Sequence, residues 1–236
     1  RRIGDRSFFS QRREEAFNAR PNIVHKAIVD YEERNPDKHI TVITQNVDGL
    51  HQKAGTSNVV ELHGSIFKTR CTKCNEVLKN LSRPLSKALD RKGAEKGKIV
   101  GVVPLEELPH CKKCGGLLRP HIVFFQELVE TVDFDDAHGA LDTCDTCLVI
   151  GTSYTVPLGT FGPMAASRGV LVAEFNFHEH PTTEHIKYHF EGDGYCHNLH
   201  AWQAGWRSQC YKYNNGKRCC PFPSLRRLLD ILPRKH

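Results

Sequence analysis

Two Cys-x-x-Cys pairs carry the most specific chemistry in the sequence. Cys71 and Cys74 form the first pair in "RCTKCN", and Cys111 and Cys114 form the second in "HCKKCGG". Thiolates spaced in this way on a tight turn bind one tetrahedral ion from one side, and a second such turn closes the shell. The pattern predicts one structural Zn²⁺ site with no open position for water. Two reduced or disulfide-linked pairs are the alternative.

A third pair, Cys144 and Cys147, has the same spacing but a different setting. It leads into "CLVIGTS", whose apolar residues are typical of a buried strand. No thioredoxin-like helix start follows, so burial of Cys147 as a small apolar residue is favoured over a redox motif.

Polar residues follow three apolar runs at the points where strands are expected to end. They are "TQN" at 44–46, "GTS" at 151–153 and "FN" at 175–176, with Asp48 and His63 nearby in sequence. In open α/β sheets, ligands bind outside the carboxyl ends of the strands. The three ends together predict a crevice of nucleotide size. Ordinary turn chemistry is the alternative for any one of them.

The elements that must position these residues alternate between helix and strand. The pattern predicts a helix at 21–34, strands at 40–44 and 58–64, a helix at 135–141, a strand at 147–150, a turn into 165–168 and a strand ending at 176. Short apolar runs alternating with helical segments indicate an α/β fold with a parallel, doubly wound sheet.

Composition excludes several classes of function. The chain has 236 residues, 39% of them hydrophobic, with 33 Lys and Arg against 27 Asp and Glu. The basic residues are scattered, so no nucleic-acid-binding stripe is expected, and no apolar run approaches the roughly 18 residues that a membrane span needs. A soluble protein is expected. The chain begins at Arg1, which suggests a fragment or a processed product.

The histidines between His178 and His200 raise a second metal hypothesis. The segment "HIKYHFE" alternates as a strand would, and no carboxylate or cysteine completes a convincing ligand shell. A solvated, partly paired surface is favoured.

The motifs taken together resemble those of the sirtuin family of NAD-dependent protein lysine deacylases. The resemblance rests on "TQNVDGLHQKAG", "ELHGS", the two cysteine pairs, "GTS" and "EFN" in this order, and it extends from about Phe8 to Phe190. The stretches "KTRCTKC", "CGGLLRPHIVFF" and "RGVLVAEFN" are most similar to the branch that removes succinyl, malonyl and glutaryl groups. That branch acts mostly in mitochondria.

The resemblance implies roles for individual residues. His63 matches the general base that draws a proton from a ribose hydroxyl, a task for which an imidazole is suited because its ordinary pKa lies near neutrality. The implied cofactor-binding residues are Gln45, Asn46, Val47 and Asp48 around nicotinamide and its ribose, Gly151, Thr152 and Ser153 near the adenosine half, and Asn176 at a ribose. The implied products are an O-acyl-ADP-ribose, nicotinamide and free lysine.

The resemblance also implies an acyl pocket. The acid-acyl branch has a Tyr-x-x-Arg pair, with which Phe9 and Arg12 align. Arg12 would bind an acyl carboxylate through two parallel hydrogen bonds, and the missing phenol hydroxyl predicts a reduced preference for succinyl or malonyl groups. Gly49 resembles ordinary deacetylases instead. The alternative is that Arg12 and Arg13 form the exposed basic face of a helix beginning near Phe8.

Several positions depart from the family pattern. The Gly-rich phosphate loop is absent from the sequence, which predicts an incomplete cofactor site. Gln126 replaces a glycine expected where the substrate backbone docks, and the resemblance ends after Trp202. The expected organisation is an N-terminally incomplete Rossmann-like parallel sheet domain with a small zinc-ribbon domain. Its bounds are 1–65 and 124–202 for the sheet domain, 66–123 for the zinc-binding domain and 203–236 for a divergent basic tail.

Two classes of function follow. The first is a lysine deacylase that acts on acylated lysine side chains of proteins, with neither nucleic acid nor membrane as a partner. The second is a catalytically inert truncated isoform that serves as an interaction module. The branch resemblance implies a mitochondrial location, with the cytosol and nucleus as further expected sites.

Overall fold

A computed structural model describes residues 4–89, 103–124, 127–129, 131–152, 154, 157–176, 186 and 188–191. The α-helices are α1 (Gly4–Asn18), α2 (Ile23–Arg34), α3 (Leu50–Ala54), α4 (Thr131–Thr143) and α5 (Phe161–Ser167). The strands are β1 (Val42–Thr44), β2 (Val59–Glu61), β3 (Gly64–Cys71), β4 (Val77–Lys79), β5 (Leu118–Ile122), β6 (Thr146–Ile150), β7 (Leu171–Asn176) and β8 (Tyr188–Glu191). Single 3₁₀ turns lie at Lys87–Leu89, Leu105–Glu107 and Pro157–Thr160.

Most of the elements expected from the sequence are present. The expected helix at 21–34 is α2, whose start is fixed by Asn22: its side-chain oxygen accepts hydrogen bonds from the N–H groups of Val24 and His25. The expected strands appear as β1, β2, β6 and β7, and the expected helix at 135–141 is the longer α4. The alternating segment "HIKYHFE" contains β8, as predicted.

The chain divides into two compact units. The first joins the described residues up to Pro21 with Thr41–Phe134, and the second joins Asn22–Ile40 with the described residues from Asp135 onward. Each unit has its own parallel strands, so the α/β class and the parallel pairing expected from the sequence are confirmed. The four domain bounds drawn from the sequence remain predictions.

The first unit holds a parallel pair and an antiparallel sheet. Strands β1 and β2 run parallel, with Thr44 opposite Glu61 at their carboxyl ends. The antiparallel sheet has the order β4-β3-β5 and carries both Cys-x-x-Cys turns at its borders. A buried apolar cluster of Leu89, Val103 and Leu108 adds to the core of this unit. The zinc-ribbon part of the predicted fold corresponds to this small sheet.

Strand β3 contains an irregularity that we call the β3 bulge, Ile66–Lys68. Ser65 pairs with His121 on β5, and the next pair is Thr69 with Pro120, so these three residues lie between two neighbouring positions of β5. The backbone of Ile66 is held from outside the sheet: its N–H donates to the Val47 carbonyl (2.9 Å), and its carbonyl accepts from Arg13 Nη1 (2.7 Å). The bulge thus ties β3 to the loop after β1 and to α1.

The second unit is built on a parallel sheet of order β6-β7-β8. Helix α5 packs on β6 and β7, and its Ala165 is fully buried, as are Val172 and Ala173 of β7 to within 2%. The short connection from β6 through α5 to β7 is a β-α-β crossover, which parallel neighbours require. In the part of the chain that the structure describes, no helix has the length and apolar character to cross a membrane.

The third cysteine pair lies at the start of β6. Burial, and next the neighbouring Cys144, raises the pKa of the Cys147 thiol to about 12. Burial likewise raises the pKa of Cys144, whose thiol donates to the Leu141 carbonyl. Both thiols stay protonated at neutral pH and are poor nucleophiles, which agrees with the structural interpretation of this pair.

Gly64, which directly follows His63, occupies a position where any other residue would strain the backbone. Its φ is +74°, and a Cβ there would lie 2.2 Å from the carbonyl oxygen of His121. We expect Gly64→Ala to lower the free energy of unfolding by about 2–5 kcal/mol, because a left-handed backbone costs about 1–2 kcal/mol and overpacking about 1–3 kcal/mol more. Urea unfolding measures the change.

Gly115→Ala is the matched control for this substitution. Gly115 belongs to the same unit and has a similar φ of +70°, but an added Cβ meets no described atom within 4 Å. It should show the backbone contribution alone. Equal destabilisation by the two substitutions would contradict the steric argument.

Candidate active site and metal centre

The four predicted zinc ligands come together in the structure. The Sγ atoms of Cys71, Cys74, Cys111 and Cys114 all lie within 4.8 Å of one another. Cys71 Sγ is 3.4 Å from Cys114 Sγ, and Cys74 Sγ is 3.8 Å from Cys111 Sγ, so none of the four forms a disulfide. The alternative of disulfide-linked pairs is therefore excluded.

Two tight turns produce this cluster. In the first, the N–H groups of Lys73 and Cys74 both point at Cys71 Sγ at 3.4 Å. These hydrogen bonds, that of Cys74 above all, lower the pKa of the Cys71 thiol to about 6. In the second turn, Gly115 N–H donates to the Cys111 carbonyl (2.9 Å). Backbone donors that favour a thiolate are typical of metal-binding cysteine turns.

The cluster fits a zinc ion in its donor chemistry and in its space. Four thiol groups are the donor set of a closed structural zinc site. Gly116 keeps one side of the cluster open, since a Cβ there would lie 2.9 Å from Cys71 Sγ and 2.7 Å from Lys73 Cβ. The four cysteines are therefore the residues that would hold zinc. With all four positions filled by sulfur, the metal would stabilise the fold and take no part in chemistry.

His63 lies where the carboxyl ends of β1 and β2 meet. Its Nδ1 is 2.8 Å from the backbone oxygen of Gln45, which follows β1. A carbonyl oxygen only accepts, so Nδ1 carries the hydrogen and Nε2 is the unprotonated nitrogen of the neutral ring. The half-buried imidazole is thus held in one tautomer and one orientation, with Nε2 suited to take a proton.

The other predicted residues after β1 are held mainly through their backbone. Asn46 N–H donates to Thr44 Oγ1 (3.1 Å), and the Val47 carbonyl accepts from Ile66 in the β3 bulge. Asp48 Oδ1 accepts from Leu50 N–H (3.0 Å), which forms an Asx turn that leads into α3. The structure therefore brings Gln45, Asn46, Val47, Asp48 and His63 together in one short segment of the first unit.

The predicted residues of the second unit meet in the same way at the ends of β6 and β7. Gly151 N–H donates to the Phe175 carbonyl (2.9 Å), and Asn176 Nδ2 donates to the Thr152 carbonyl (2.6 Å). Ser153, the remaining predicted residue of this group, lies outside the described residues. The carboxyl edge of this sheet thus gathers Gly151, Thr152 and Asn176.

The two predicted acyl-pocket residues lie one turn apart on α1 and contact different partners. The Phe9 ring packs against Phe124 with a centroid distance of 5.1 Å. Arg12 is 57% exposed, forms an ion pair with Glu15 (2.8 Å), and its guanidinium lies 5.1 Å from the centre of the Phe8 ring. Gln126 lies outside the described residues.

Arg13 is a buried residue of α1 whose role the sequence reasoning missed. It is 2% exposed, and its guanidinium donates to the carbonyls of Ile66, Asn80 and Ser82. It also lines, with Phe9, a small apolar cleft that has room for about one water molecule, about 20 Å³. The available signal was the helical spacing of the buried positions Ser10, Arg13 and Ala16, which leaves Arg12 on the outer face.

Glu174 is a second residue for which the sequence motifs predicted no role. It lies in β7 with 0% of its surface exposed, although the neighbouring strand residues are apolar. A carboxylate in such a position needs hydrogen-bond partners, so its presence inside "LVAEFN" was the signal. Its contacts include Asn176 and His189.

The chain is similar in sequence to proteins named NAD-dependent protein deacylase. The chain is 47% identical over 191 residues to a protein named NAD-dependent protein deacylase from Daphnia pulex, and the match covers 78% of this chain and 70% of the relative. It is 46% identical over 191 residues to the NAD-dependent protein deacylase sirtuin-5, mitochondrial, of Danio rerio, with 78% and 63% covered. The chain thus spans about two thirds of the length of these relatives.

Solved structures agree as well. A crystal structure of a Sir2 homologue in complex with NAD is 35% identical, with a TM-score of 0.63 over 78% of this chain and 64% of that one. A complex of Sir2 with a p53 peptide and NAD⁺ is 26% identical, with a TM-score of 0.59 over 74% of this chain and 66% of that one. The sequence model of the Sir2 family matches residues 2–157. This stretch holds both the β1–β2 edge with His63 and the four-cysteine cluster, and the chain belongs to the Sir2 family.

Proposed function

We propose that the protein is an NAD-dependent protein lysine deacylase in which His63 is the general base. The observation that carries the proposal is the hydrogen bond from His63 Nδ1 to the Gln45 carbonyl (2.8 Å). An imidazole fixed in this tautomer has Nε2 ready to accept a proton, which is the preparation that general-base catalysis needs. The names of the relatives from Daphnia pulex and Danio rerio support the same class of reaction.

NAD would supply an electrophilic ribose carbon that accepts the acyl-lysine oxygen and a ribose hydroxyl that later carries the acyl group. The chain's own contribution is proton transfer and orientation. His63 Nε2 takes the proton of the hydroxyl, and the Gln45 carbonyl stabilises the imidazolium that results, because Nδ1 donates to it throughout. The hydrogen bond from Nδ1 to the Gln45 carbonyl is therefore present in both the neutral and the protonated imidazole.

Two groups of residues are proposed to hold the cofactor. In the first unit, Gln45, Asn46, Val47 and Asp48 would contact nicotinamide and its ribose. In the second unit, Gly151, Thr152, Ser153 and Asn176 would contact the adenosine half. The support is that the described members of each group lie at the carboxyl edge of their own parallel strands, the edge at which α/β sheets bind ligands.

We further propose that acid acyl groups, succinyl or malonyl, are preferred and that Arg12 binds their carboxylate. The present partner of Arg12 is Glu15, and both side chains are about half exposed. An exposed ion pair of this kind contributes only about 0–1 kcal/mol. Loss of the pair with Glu15 would therefore oppose binding of a substrate carboxylate only weakly.

The test compares succinyl-lysine, malonyl-lysine and acetyl-lysine peptides with wild type and Arg12→Met. Nicotinamide release and the free lysine product are measured for each peptide. We expect kcat/KM for the acid acyl peptides to fall by roughly tenfold or more in Arg12→Met, since a charge-assisted bond of about 1.5–3 kcal/mol is lost, and the value for acetyl-lysine to stay unchanged.

Glu15→Gln is the matched variant on the same helix face. It removes the competing carboxylate, so it should leave acetyl-lysine turnover unchanged and raise the preference for succinyl-lysine slightly. If Arg12→Met lowers both efficiencies equally, or neither, Arg12 does not bind the acyl carboxylate and belongs to an exposed basic face. Absence of nicotinamide release with every peptide would favour an inert interaction module.

Acylated lysine side chains of proteins are the proposed substrates, and the mitochondrion is the proposed location. Support for the location comes from the relatives named mitochondrial sirtuin-5 in Danio rerio and Canis lupus familiaris. Support for a protein substrate comes from the solved complex of Sir2 with a p53 peptide.

A further inference from the structure

Glu174 is the most deeply buried charged residue among the described residues of the second unit. Its exposure is 0%, and it occupies β7, the middle strand of the sheet β6-β7-β8. Burial of an ionised carboxylate is unfavourable by several kcal/mol unless hydrogen bonds or a cation compensate. Its retention in the centre of an apolar strand therefore requires a set of specific partners.

Those partners connect the carboxylate to the end of its own strand. Glu174 Oε1 accepts from Asn176 Nδ2 at 3.1 Å, and the same Nδ2 donates to the Thr152 carbonyl at 2.6 Å. Asn176 and Glu174 are two residues apart, so they point to the same face of the sheet. The Glu174 carboxylate thus contacts Asn176, and Asn176 in turn connects the end of β7 to the loop after β6.

The two acceptors fix which way the Asn176 amide points. A carboxylate oxygen and a carbonyl oxygen both require a donor, and the only donor of the side chain is the NH₂ group. Each of its two hydrogens has an acceptor, so Nδ2 lies on this side and Oδ1 on the opposite side of the amide. Loss of Glu174 removes one of these two contacts to the Asn176 amide.

The other carboxylate oxygen is held by the neighbouring strand. Glu174 Oε2 lies 2.9 Å from Nδ1 of His189 in β8, whose side chain is 11% exposed. Burial, and next the adjacent Glu174 carboxylate, raises the pKa of Tyr154, which therefore stays protonated. Among the histidines between His178 and His200, His189 is the one that the structure describes, and it is half of a buried pair with Glu174. The solvated, partly paired surface predicted for the others lies outside the described residues.

We propose that Glu174 is a positioning residue for the cofactor: its carboxylate sets the Asn176 amide so that Oδ1 accepts a hydrogen bond from a hydroxyl of the adenosine ribose. The inference rests on the proposed function, because it assigns to Asn176 a ribose contact. It goes further because it gives Glu174 a role in nucleotide binding, although this carboxylate is buried and does not contact the nucleotide. The hydroxyl of a ribose is the matching chemistry, since an amide oxygen recognises donors only.

The first measurement tests the positioning without any cofactor. In ¹⁵N-labelled protein, the side-chain NH₂ signals of Asn176, assigned by comparison with Asn176→Asp, report whether both hydrogens are bonded. We expect two well-separated, slowly exchanging signals in wild type. Glu174→Met, of similar size but without an oxygen acceptor, should shift the signal of the hydrogen that Glu174 binds and speed its exchange with water, and Glu174→Gln should keep both signals.

Glu174→Gln is the conservative variant because it can restore both contacts. The Gln oxygen accepts from Asn176, and its NH₂ group donates to His189 Nδ1 once the imidazole adopts its other tautomer. We expect NAD dissociation constants, measured by calorimetry, to rise roughly 3- to 10-fold in Glu174→Met, as for loss of one hydrogen bond, and to stay within about twofold in Glu174→Gln. The value of kcat at saturating NAD should stay unchanged in both.

Arg168→Met controls for general damage to the unit. It removes a hydrogen bond to the Leu141 carbonyl (2.6 Å) and an ion pair with Asp142 (2.8 Å), and neither of these contacts involves Glu174. It should lower the melting temperature but leave NAD affinity unchanged. If Glu174→Met does not fold, the NAD affinities of Asn176→Asp with and without Glu174→Gln are compared instead. Gln provides the donor that the new carboxylate needs, so it should restore part of the affinity, and equal affinities would contradict the positioning role.

The outcomes distinguish the positioning role of Glu174 from its effect on cofactor binding. Unchanged Asn176 signals in Glu174→Met, or failure of Glu174→Gln to rescue them, overturn the positioning role. Altered signals with unchanged NAD affinity overturn the link to the cofactor. Wild-type protein that binds no NAD overturns the proposed function itself, while the amide signals still report on positioning. Parallel changes in signals and affinity support the proposal.

Discussion

Removing the metal from the four-cysteine cluster is expected to unfold the sheet β4-β3-β5. The cysteines terminate β3 and precede β5, so they join the parts of this sheet, while all residues of β4 are exposed and contribute little apolar burial. The binding free energy of a structural zinc is about 10–16 kcal/mol in small zinc-binding peptides, comparable with the about 5–15 kcal/mol that stabilises a whole domain. Elemental analysis should find one zinc per chain, and chelation should lower the melting temperature sharply.

Cys71→Ser and Cys144→Ser form the matched pair for this prediction. Cys71 belongs to the cluster, whereas Cys144 lies in the second unit and donates to the Leu141 carbonyl. We expect zinc content and thermal stability to fall in Cys71→Ser alone. Carefully purified wild-type protein without zinc, or equal melting temperatures of the two variants, would refute the metal assignment.

His63→Tyr is expected to lower deacylation by at least roughly 100-fold, because general-base catalysis contributes about 10²–10⁴-fold. The phenol has no basic nitrogen and cannot reproduce the hydrogen bond from Nδ1 to the Gln45 carbonyl. NAD binding should survive, since the base acts on a proton and the proposed cofactor contacts lie on other residues. Steady-state turnover and calorimetric titration with NAD separate the two effects.

His39→Tyr is the control, because His39 is exposed and lies just before β1, away from the carboxyl end of that strand. It should keep full turnover, which shows that an added tyrosine is tolerated. The melting temperature of His63→Tyr must stay close to that of wild type for the comparison to hold. Near-normal turnover in a folded His63→Tyr variant would remove His63 from the role of base.

Local patterns predicted much of the fold and of the metal centre. Helix α2 and strands β1, β6 and β7 follow from apolar periodicity and turn residues, which act over a few neighbours in sequence. The cysteine cluster was predictable for a similar reason. The spacing within each Cys-x-x-Cys turn already imposes its geometry, and the predicted pairing of the two turns in one cluster is confirmed.

Side-chain orientation was less predictable because it depends on contacts between residues far apart in sequence. Arg12 and Arg13 are adjacent and chemically identical, yet Arg13 is buried through carbonyls of Ile66, Asn80 and Ser82. Nothing local to α1 reveals those acceptors. Similarly, one hydrogen-bond partner of the buried Glu174 is His189, which lies on the next strand of the sheet.

The β3 bulge has a consequence for how the protein tolerates change in chain length. Because Ile66–Lys68 are not matched to β5, the pairs on either side of them are set independently: Ser65 with His121 near His63, and Cys71 with Leu118 at the cysteine cluster. A strand with one continuous register would transmit every insertion along its whole length, turning each side chain to the other face. Here the bulge absorbs such a shift. The cysteine-bearing half can therefore diverge in evolution, or be exchanged by grafting, while the histidine-bearing half keeps its alignment.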